Sequence, residues 1–205
     1  KYLEDSRNSK IRGYEFSTDE SRVLLRLQTH GDNAWYVVDR TTSDPVKIEL
    51  DPYTGDMQAI KFSPDNKQLS FVHGANLYVY HFNTKESTQL TMDGSDHIIN
   101  ATASFDFAAV RNTRTYEWSP DSRYIAFNQI NTKGVRSFSI INYLDSLYAT
   151  VDKFQYFKPG ETLPSVRTGI IEVSKRKTTW LNVTGDPRNH YITHLTWNPA
   201  SNQLY

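Results

Sequence analysis

Four short stretches of this chain repeat one pattern, and that repeat limits the folds open to it. Phe16-Ser17-Thr18-Asp19 leads into Glu20-Ser21-Arg22-Val23-Leu24-Leu25. Phe62-Ser63-Pro64-Asp65 leads into Asn66-Lys67-Gln68-Leu69-Ser70-Phe71. Trp118-Ser119-Pro120-Asp121 leads into Ser122-Arg123-Tyr124-Ile125-Ala126-Phe127, and Trp197-Asn198-Pro199-Ala200 into Ser201-Asn202-Gln203-Leu204-Tyr205. Each copy reads aromatic, Ser or Asn, Pro or Thr, a small or acidic residue, two or three polar residues, then an apolar run. Proline presets φ near −65° early in a turn, and Asp beside it bonds back to the backbone. The aromatic therefore ends one strand and the apolar run begins the next, so each copy predicts a tight hairpin.

The copies begin at residues 16, 62, 118 and 197, spaced 46, 56 and 79 residues apart. The first spacing fits one four-stranded propeller blade, and the longer two imply insertions. Ala34–Asp39, Asn76–Phe82, Gly169–Val173 and Thr178–Val183 supply further strands, the last two framing a turn at Ser174–Lys177. A short helix or turn is expected near Asn142–Leu147. The expected fold is all-β: a β-propeller segment, residues 1–205, of about four blades of four-stranded antiparallel sheet. Lys1–Lys10 lacks a strand partner and Tyr205 falls where a strand should continue, so a larger ring is expected. A complete four-bladed propeller is the alternative, and the closure argument weighs against it.

Composition narrows the partners. Lys and Arg total 23, as do Asp and Glu, so the formal net charge is zero. A nucleic-acid binder needs a basic footprint, and none is present. No apolar run approaches the roughly 20 residues that cross a bilayer. The absence of cysteine removes disulfides, thiolate metal sites and thiol nucleophiles. It suits a cytoplasm or a bacterial periplasm better than an animal extracellular domain. The sequons Asn100-Ala101-Thr102 and Asn182-Val183-Thr184 read as chance triplets.

Several constellations invite a chemical reading and lose it on spacing. His190 and His194 lie four apart, which on a strand separates them by about 13 Å, so a polar inter-blade role is expected rather than a metal site. Asp93-Gly94-Ser95-Asp96 lacks the order of an EF-hand loop and reads as a turn. Phe16, Phe62, Trp118 and Trp197 share one repeat phase, so they read as packing between blades rather than as a stacking platform. No cofactor is expected.

Five pieces carry a resemblance: Tyr116-Glu117-Trp118-Ser119-Pro120-Asp121-Ser122-Arg123-Tyr124-Ile125-Ala126-Phe127; Tyr143-Leu144-Asp145-Ser146-Leu147; Phe154-Gln155-Tyr156-Phe157-Lys158-Pro159-Gly160; Pro164-Ser165-Val166-Arg167-Thr168-Gly169-Ile170-Ile171; and His190-Tyr191-Ile192-Thr193-His194-Leu195-Thr196-Trp197. In this order they resemble the N-terminal propeller of the dipeptidyl peptidase IV group within the prolyl oligopeptidase family. The resemblance implies an eight-bladed ring capping an α/β-hydrolase domain that carries a Ser-His-Asp triad. This chain has no Gly-x-Ser-x-Gly elbow, so it supplies no catalytic residue. Its implied role is to gate and select peptides with Pro or Ala next to the N-terminal residue.

In such propellers a run resembling Asn-Gly-Thr then Asp-Trp-Val-Tyr-Glu-Glu-Glu binds the substrate's free amine. Here it reads Asn100-Ala101-Thr102-Ala103-Ser104-Phe105-Asp106-Phe107-Ala108-Ala109-Val110. Ala108 and Ala109 stand where the two glutamates belong, and two methyl groups cannot hold an ammonium ion. Asp106 is the nearest acid, a one-carboxylate amine anchor or an ordinary loop Asp. Arg111 and Arg114 flank it, as carboxylate readers or as solvated charges. The family's carbonyl-contacting Arg falls at Gln28, with Arg26 beside it. The implied partners are a peptide substrate, the hydrolase domain of the same parent and a second copy in a homodimer. A periplasmic or extracellular setting and a bacterial origin are expected. A TolB-like binding scaffold and a pseudo-enzyme are the alternatives.

Overall fold

The computed structural model describes residues 9–29, 32–42, 45–48, 57–101, 115–144, 147–189 and 191–205. Its regular elements are strands, paired antiparallel, in five sheets. No helix among them is long and apolar enough to cross a membrane. The chain divides into two compact units, residues 1–73 with 78–89, and residues 74–77 with 90–205.

The first unit holds two four-stranded meanders. Strands β1 (Ser9–Phe16), β2 (Arg22–Thr29), β3 (Asp32–Asp39) and β4 (Pro45–Lys47) form one sheet in chain order. Strands β5 (Gln58–Phe62), β6 (Gln68–His73), β7 (Asn76–His81) and β8 (Glu86–Gln89) form the next. Leu24, Val37 and Ile48 of the first sheet region share one buried cluster with Phe62, Leu69, Phe71, Tyr78 and Tyr80 of the second. Phe71 stacks on Tyr78 with ring centroids 5.3 Å apart. Burying each such ring contributes about 2–3 kcal/mol to this cluster.

In the second unit, β10 (Tyr116–Trp118), β11 (Tyr124–Asn131), β14 (Ser165–Glu172) and β15 (Lys177–Trp180) make one sheet in that order, and β9 (Ile98–Asn100) pairs with the far end of β11. The longest repeat spacing has a simple cause. Strands β12 (Ser137–Asn142) and β13 (Thr150–Gln155) form a separate hairpin inserted between β11 and β14, which are sheet neighbours. The short pair β16 (Trp197–Asn198) and β17 (Gln203–Leu204) follows.

In the three copies that carry serine the repeat turn has one geometry, and that serine organises it. Ser63 Oγ donates to Asp65 Oδ1 at 2.6 Å and accepts from the Gln68 N–H at 3.0 Å, while Ser63 N–H donates to Gln68 O at 2.9 Å. Ser17 and Ser119 repeat these bonds with Asp19 and Arg22, and with Asp121 and Tyr124. All three serines are buried. The residue after the Asp is left-handed in the three copies that have one: Glu20, Asn66 and Ser122 lie at φ 56°, 57° and 59°, whereas in the fourth copy, with Ala200 in place of the Asp, the left-handed residue is Asn202, one position later, at 50°. A side chain there costs about 1–2 kcal/mol that glycine avoids. Glu20→Gly should therefore raise stability by about 0.5–1 kcal/mol, net of glycine's extra unfolded-state entropy. Urea denaturation reads this, and a lower midpoint would count against it.

The turn also titrates. Hydrogen bonds from the Ser21 N–H, the Ser21 hydroxyl and Ser17 Oγ lower the Asp19 carboxyl from 3.8 to about 2. For Asp121, burial pushes upward, and bonds from Ser119, Arg123 N–H and Asn202 outweigh it, so its pKa is lowered too. A folded-state pKa below the unfolded one adds stability that is fully present above the unfolded value and lost as pH falls through the folded value. Stability should thus fall between about pH 4 and about pH 2, and Asp19→Asn should flatten that fall. Melting temperatures measured across this range test it; parallel curves for the two proteins would contradict it.

Three sequence expectations need correction. Residues 173–176 form the turn after β14, with Arg176 left-handed, and β15 stops at Trp180, leaving Leu181–Val183 outside the ladder. Of the helix or turn expected near Asn142–Leu147, the described part is the turn: Asn142 Oδ1 accepts the Leu144 N–H at 2.9 Å. Residues 191–196 are not a strand, since Ile192 O is taken by Asn128 Nδ2. The four repeat aromatics are not equivalent. Phe62 and Trp118 are buried, and Trp197 is half-buried with its indole donating to Glu117 O at 3.1 Å. Phe16 is 47% exposed, and among the described residues Tyr14 meets its ring edge-on and Arg40 lies over it.

Candidate functional site

The run that resembles the family's amine-binding segment lies in the sequence between β9 and β10, and the structure shows how its two flanks are held. Asp106, Ala108, Ala109, Arg111 and Arg114 lie outside the described residues, as does His190. Their flanks are described. Thr115 Oγ1 donates to Ala101 O at 2.6 Å. Ala101 N–H donates to Asn128 O at 2.9 Å, and Asn128 N–H to Thr115 O at 2.8 Å. Both ends are thereby fastened to one residue of β11. Ala101 is fully buried and left-handed at φ 61°, where the family-like pattern has glycine.

A buried polar network backs this anchor. Asn100 Nδ2 donates to Ala75 O at 3.1 Å and to Asp93 Oδ1 at 3.0 Å. Gln129 Nε2 donates to Asp93 Oδ2 and Asn100 Oδ1, both at 2.8 Å. Arg167 Nε donates to Gln129 Oε1 at 2.8 Å. Asn100 and Gln129 are buried, so each amide must find such partners. On the same strand, Asn128 Oδ1 accepts from Thr168 Oγ1 at 2.8 Å. The signal in the sequence was Asn128-Gln129, two amides interrupting the apolar run of β11, and it went unread. Asp93, expected in a turn, spends both carboxylate oxygens on this network. Among the described residues no three His, Cys, Asp or Glu side chains gather as a metal site; His194 is exposed, its Nδ1 3.5 Å from the neighbouring Thr193 Oγ1.

Arg26 and Gln28 lie in the first unit, two apart on β2 and so on one face of it. Neither is on a loop. Their register to β3 is unbroken, with Arg26 opposite Trp35 and Gln28 opposite Asn33. Arg26 lies over the Trp35 ring at 5.5 Å, and Gln28 Oε1 accepts from Arg12 Nε at 2.7 Å. Arg12 is an exposed guanidinium beside the position where the family places its own, and the sequence reading passed over it.

A family model described as the dipeptidyl peptidase IV (DPP IV) N-terminal region matches residues 17–205. A probable dipeptidyl peptidase 4 of Aspergillus clavatus is 31% identical over 124 residues, which cover 57% of this chain and 16% of the relative. A probable dipeptidyl-aminopeptidase B of Talaromyces stipitatus is 26% identical over 179 residues, covering 80% of this chain and 20% of the relative. Among solved structures, Porphyromonas gingivalis dipeptidyl peptidase 4 has the same fold over 95% of this chain and 28% of its own, with a TM-score of 0.83 at 22% identity. A putative dipeptidyl aminopeptidase IV from Bacteroides ovatus matches with a TM-score of 0.66 at 19% identity, over 90% of this chain and 24% of that one. The chain spans about a fifth of the length of the curated relatives it matches.

Proposed function

Because this chain belongs to the family of dipeptidyl peptidase IV N-terminal regions, we propose that it is the non-catalytic, substrate-gating part of a serine exopeptidase. The observation that supports this is the succession of antiparallel sheets, two of them four-stranded meanders in chain order, with one recurrent turn between the β1–β2, β5–β6 and β10–β11 strand pairs. In this reading the sheets are blades of a β-propeller, about four of an eight-bladed ring. An α/β-hydrolase domain of the same parent performs acyl transfer with a Ser-His-Asp triad. The substrates are peptides, selected by size and by the residue next to the N-terminus. The parent works in a periplasm or outside the cell.

The amine clamp is altered. Carboxylates replace the water that a desolvated ammonium ion loses, and alanines cannot. Ala108 and Ala109 therefore favour a peptidase of changed specificity over one that demands a free N-terminal amine. For the homodimer, support comes from the β12–β13 hairpin. It exposes Ile140, Ile141, Tyr143 and Tyr148, with Leu144 and Leu147 each 94% exposed. So much exposed apolar surface in one projection is costly unless a partner covers it.

A fluorophosphonate probe tests the peptidase reading. The full-length parent should be labelled on a serine within a Gly-x-Ser-x-Gly motif outside this chain. A parent with neither label nor motif would be a binding scaffold, and the reading would fall.

A further inference from the structure

We propose that Arg167, laid on Trp180 and aimed by Gln129, is a carboxylate-binding site for peptide ligands. The guanidinium carbon sits 3.6 Å from the Trp180 ring centroid, and Arg167 is itself exposed. The indole cannot drift. It lies across Gly169 so closely that a Cβ there would meet its ring at 3.0 Å, and Phe127 abuts its edge with centroids 5.6 Å apart. The Gln129 amide cannot turn either. Its nitrogen is committed to Asp93 and Asn100, so its oxygen must face Arg167 Nε. The guanidinium is therefore held on one face and one edge.

The opposite edge carries Nη1 and Nη2, which have no hydrogen-bond partner among the described residues. A fork held in this way matches the two oxygens of a carboxylate, and fixing it beforehand removes the side-chain entropy that binding would otherwise cost. Asp93 lies one amide away from Arg167 along the network. Its negative charge disfavours a dianionic phosphate more than a singly charged carboxylate. Leu181 and Val183, exposed just beyond Trp180, offer apolar contact to residues flanking the acid. The peptide part of the assignment rests on the function proposed above; the anion site itself does not.

Calorimetric titration of the full-length parent with Gly-Gly-Glu-amide and Gly-Gly-Gln-amide, which lack the Pro or Ala that marks a substrate, tests it. The Glu peptide should bind at least about tenfold more tightly. Arg167→Gln should erase that preference. Arg167→Lys, which keeps the charge and loses the fork, should cut it by about threefold or more. Equal affinities in the wild type, or a preference that survives Arg167→Gln, would overturn the proposal. Glutarate and inorganic phosphate separate the sources. Glutarate binding that depends on Arg167, without a Glu-peptide preference, supports the anion site and overturns the peptide reading. Phosphate binding more tightly than glutarate overturns the carboxylate assignment.

Discussion

Trp118→Ala should lower the unfolding free energy by about 3–5 kcal/mol, as is usual when a buried aromatic is truncated. Trp118 is 6% exposed, ends β10 and pairs with Ile125, which is wholly buried on β11. It also immediately precedes Ser119, whose hydroxyl organises the turn into β11. Removing the indole leaves a cavity beside a turn that cannot move without losing its serine bonds, so little collapse is available to offset the loss. Phe16 provides the contrast within the same repeat. At 47% exposure, Phe16→Ala should cost no more than about 1 kcal/mol. Chemical denaturation of both variants reads the difference. An unchanged midpoint for Trp118→Ala, or equal losses for the two, would remove the packing role from the repeat aromatic.

Asn100→Ala should cost about 2–4 kcal/mol, because it breaks a closed network rather than one bond. The substitution takes an acceptor from Gln129 Nε2 and a donor from Asp93 Oδ1 and Ala75 O. Gln129 is buried and has no water to turn to. A double-mutant cycle with Gln129→Met should show a coupling of about 1–2 kcal/mol. Additive losses would mean that the two amides act separately. Asn100 adjoins Ala101, where the run holding Ala108 and Ala109 is fastened. The same variant should therefore alter substrate selection in the parent beyond what lost stability accounts for.

The meander order and most strand positions were legible because they depend on local signals. The alternation of Val23-Leu24-Leu25 or Ile125-Ala126-Phe127 after a Pro-Asp turn leaves few options. The role of serine was not legible. Beside Pro and Asp it reads as a generic turn residue, and only the fold shows its hydroxyl capping the next strand. The left-handed residue after the Asp was hidden for a similar reason: Glu20, Asn66 and Ser122 share no more than polarity, because the turn imposes the conformation. The β12–β13 insertion gave only a spacing. Its place between β11 and β14 follows from long-range pairing that no window along the chain contains. Phe16 was misjudged because burial depends on what covers a strand, and the repeat pattern specifies only the strand. Of the site, Arg26 and Gln28 were expected just before the strand at Trp35–Asp39, with Arg26 on a loop, and the structure puts both within β2; Arg12, Gln129 and Arg167 emerge only from cross-strand neighbours.

In the function proposed above, this region selects substrates, with Ala108 and Ala109 in place of the carboxylates that demand a free amine. The most direct measurement compares kcat/KM of the full-length parent on Gly-Pro-p-nitroanilide and its N-acetylated form, for the wild type and for the Ala108→Glu, Ala109→Glu double variant. The wild type should discriminate by less than about tenfold, and the double variant should favour the free amine by a further factor of about a hundred, since each 1.4 kcal/mol of restored ion pairing is tenfold. A wild type that already prefers the free amine by a hundredfold, or a double variant that leaves the ratio unmoved, would contradict the account.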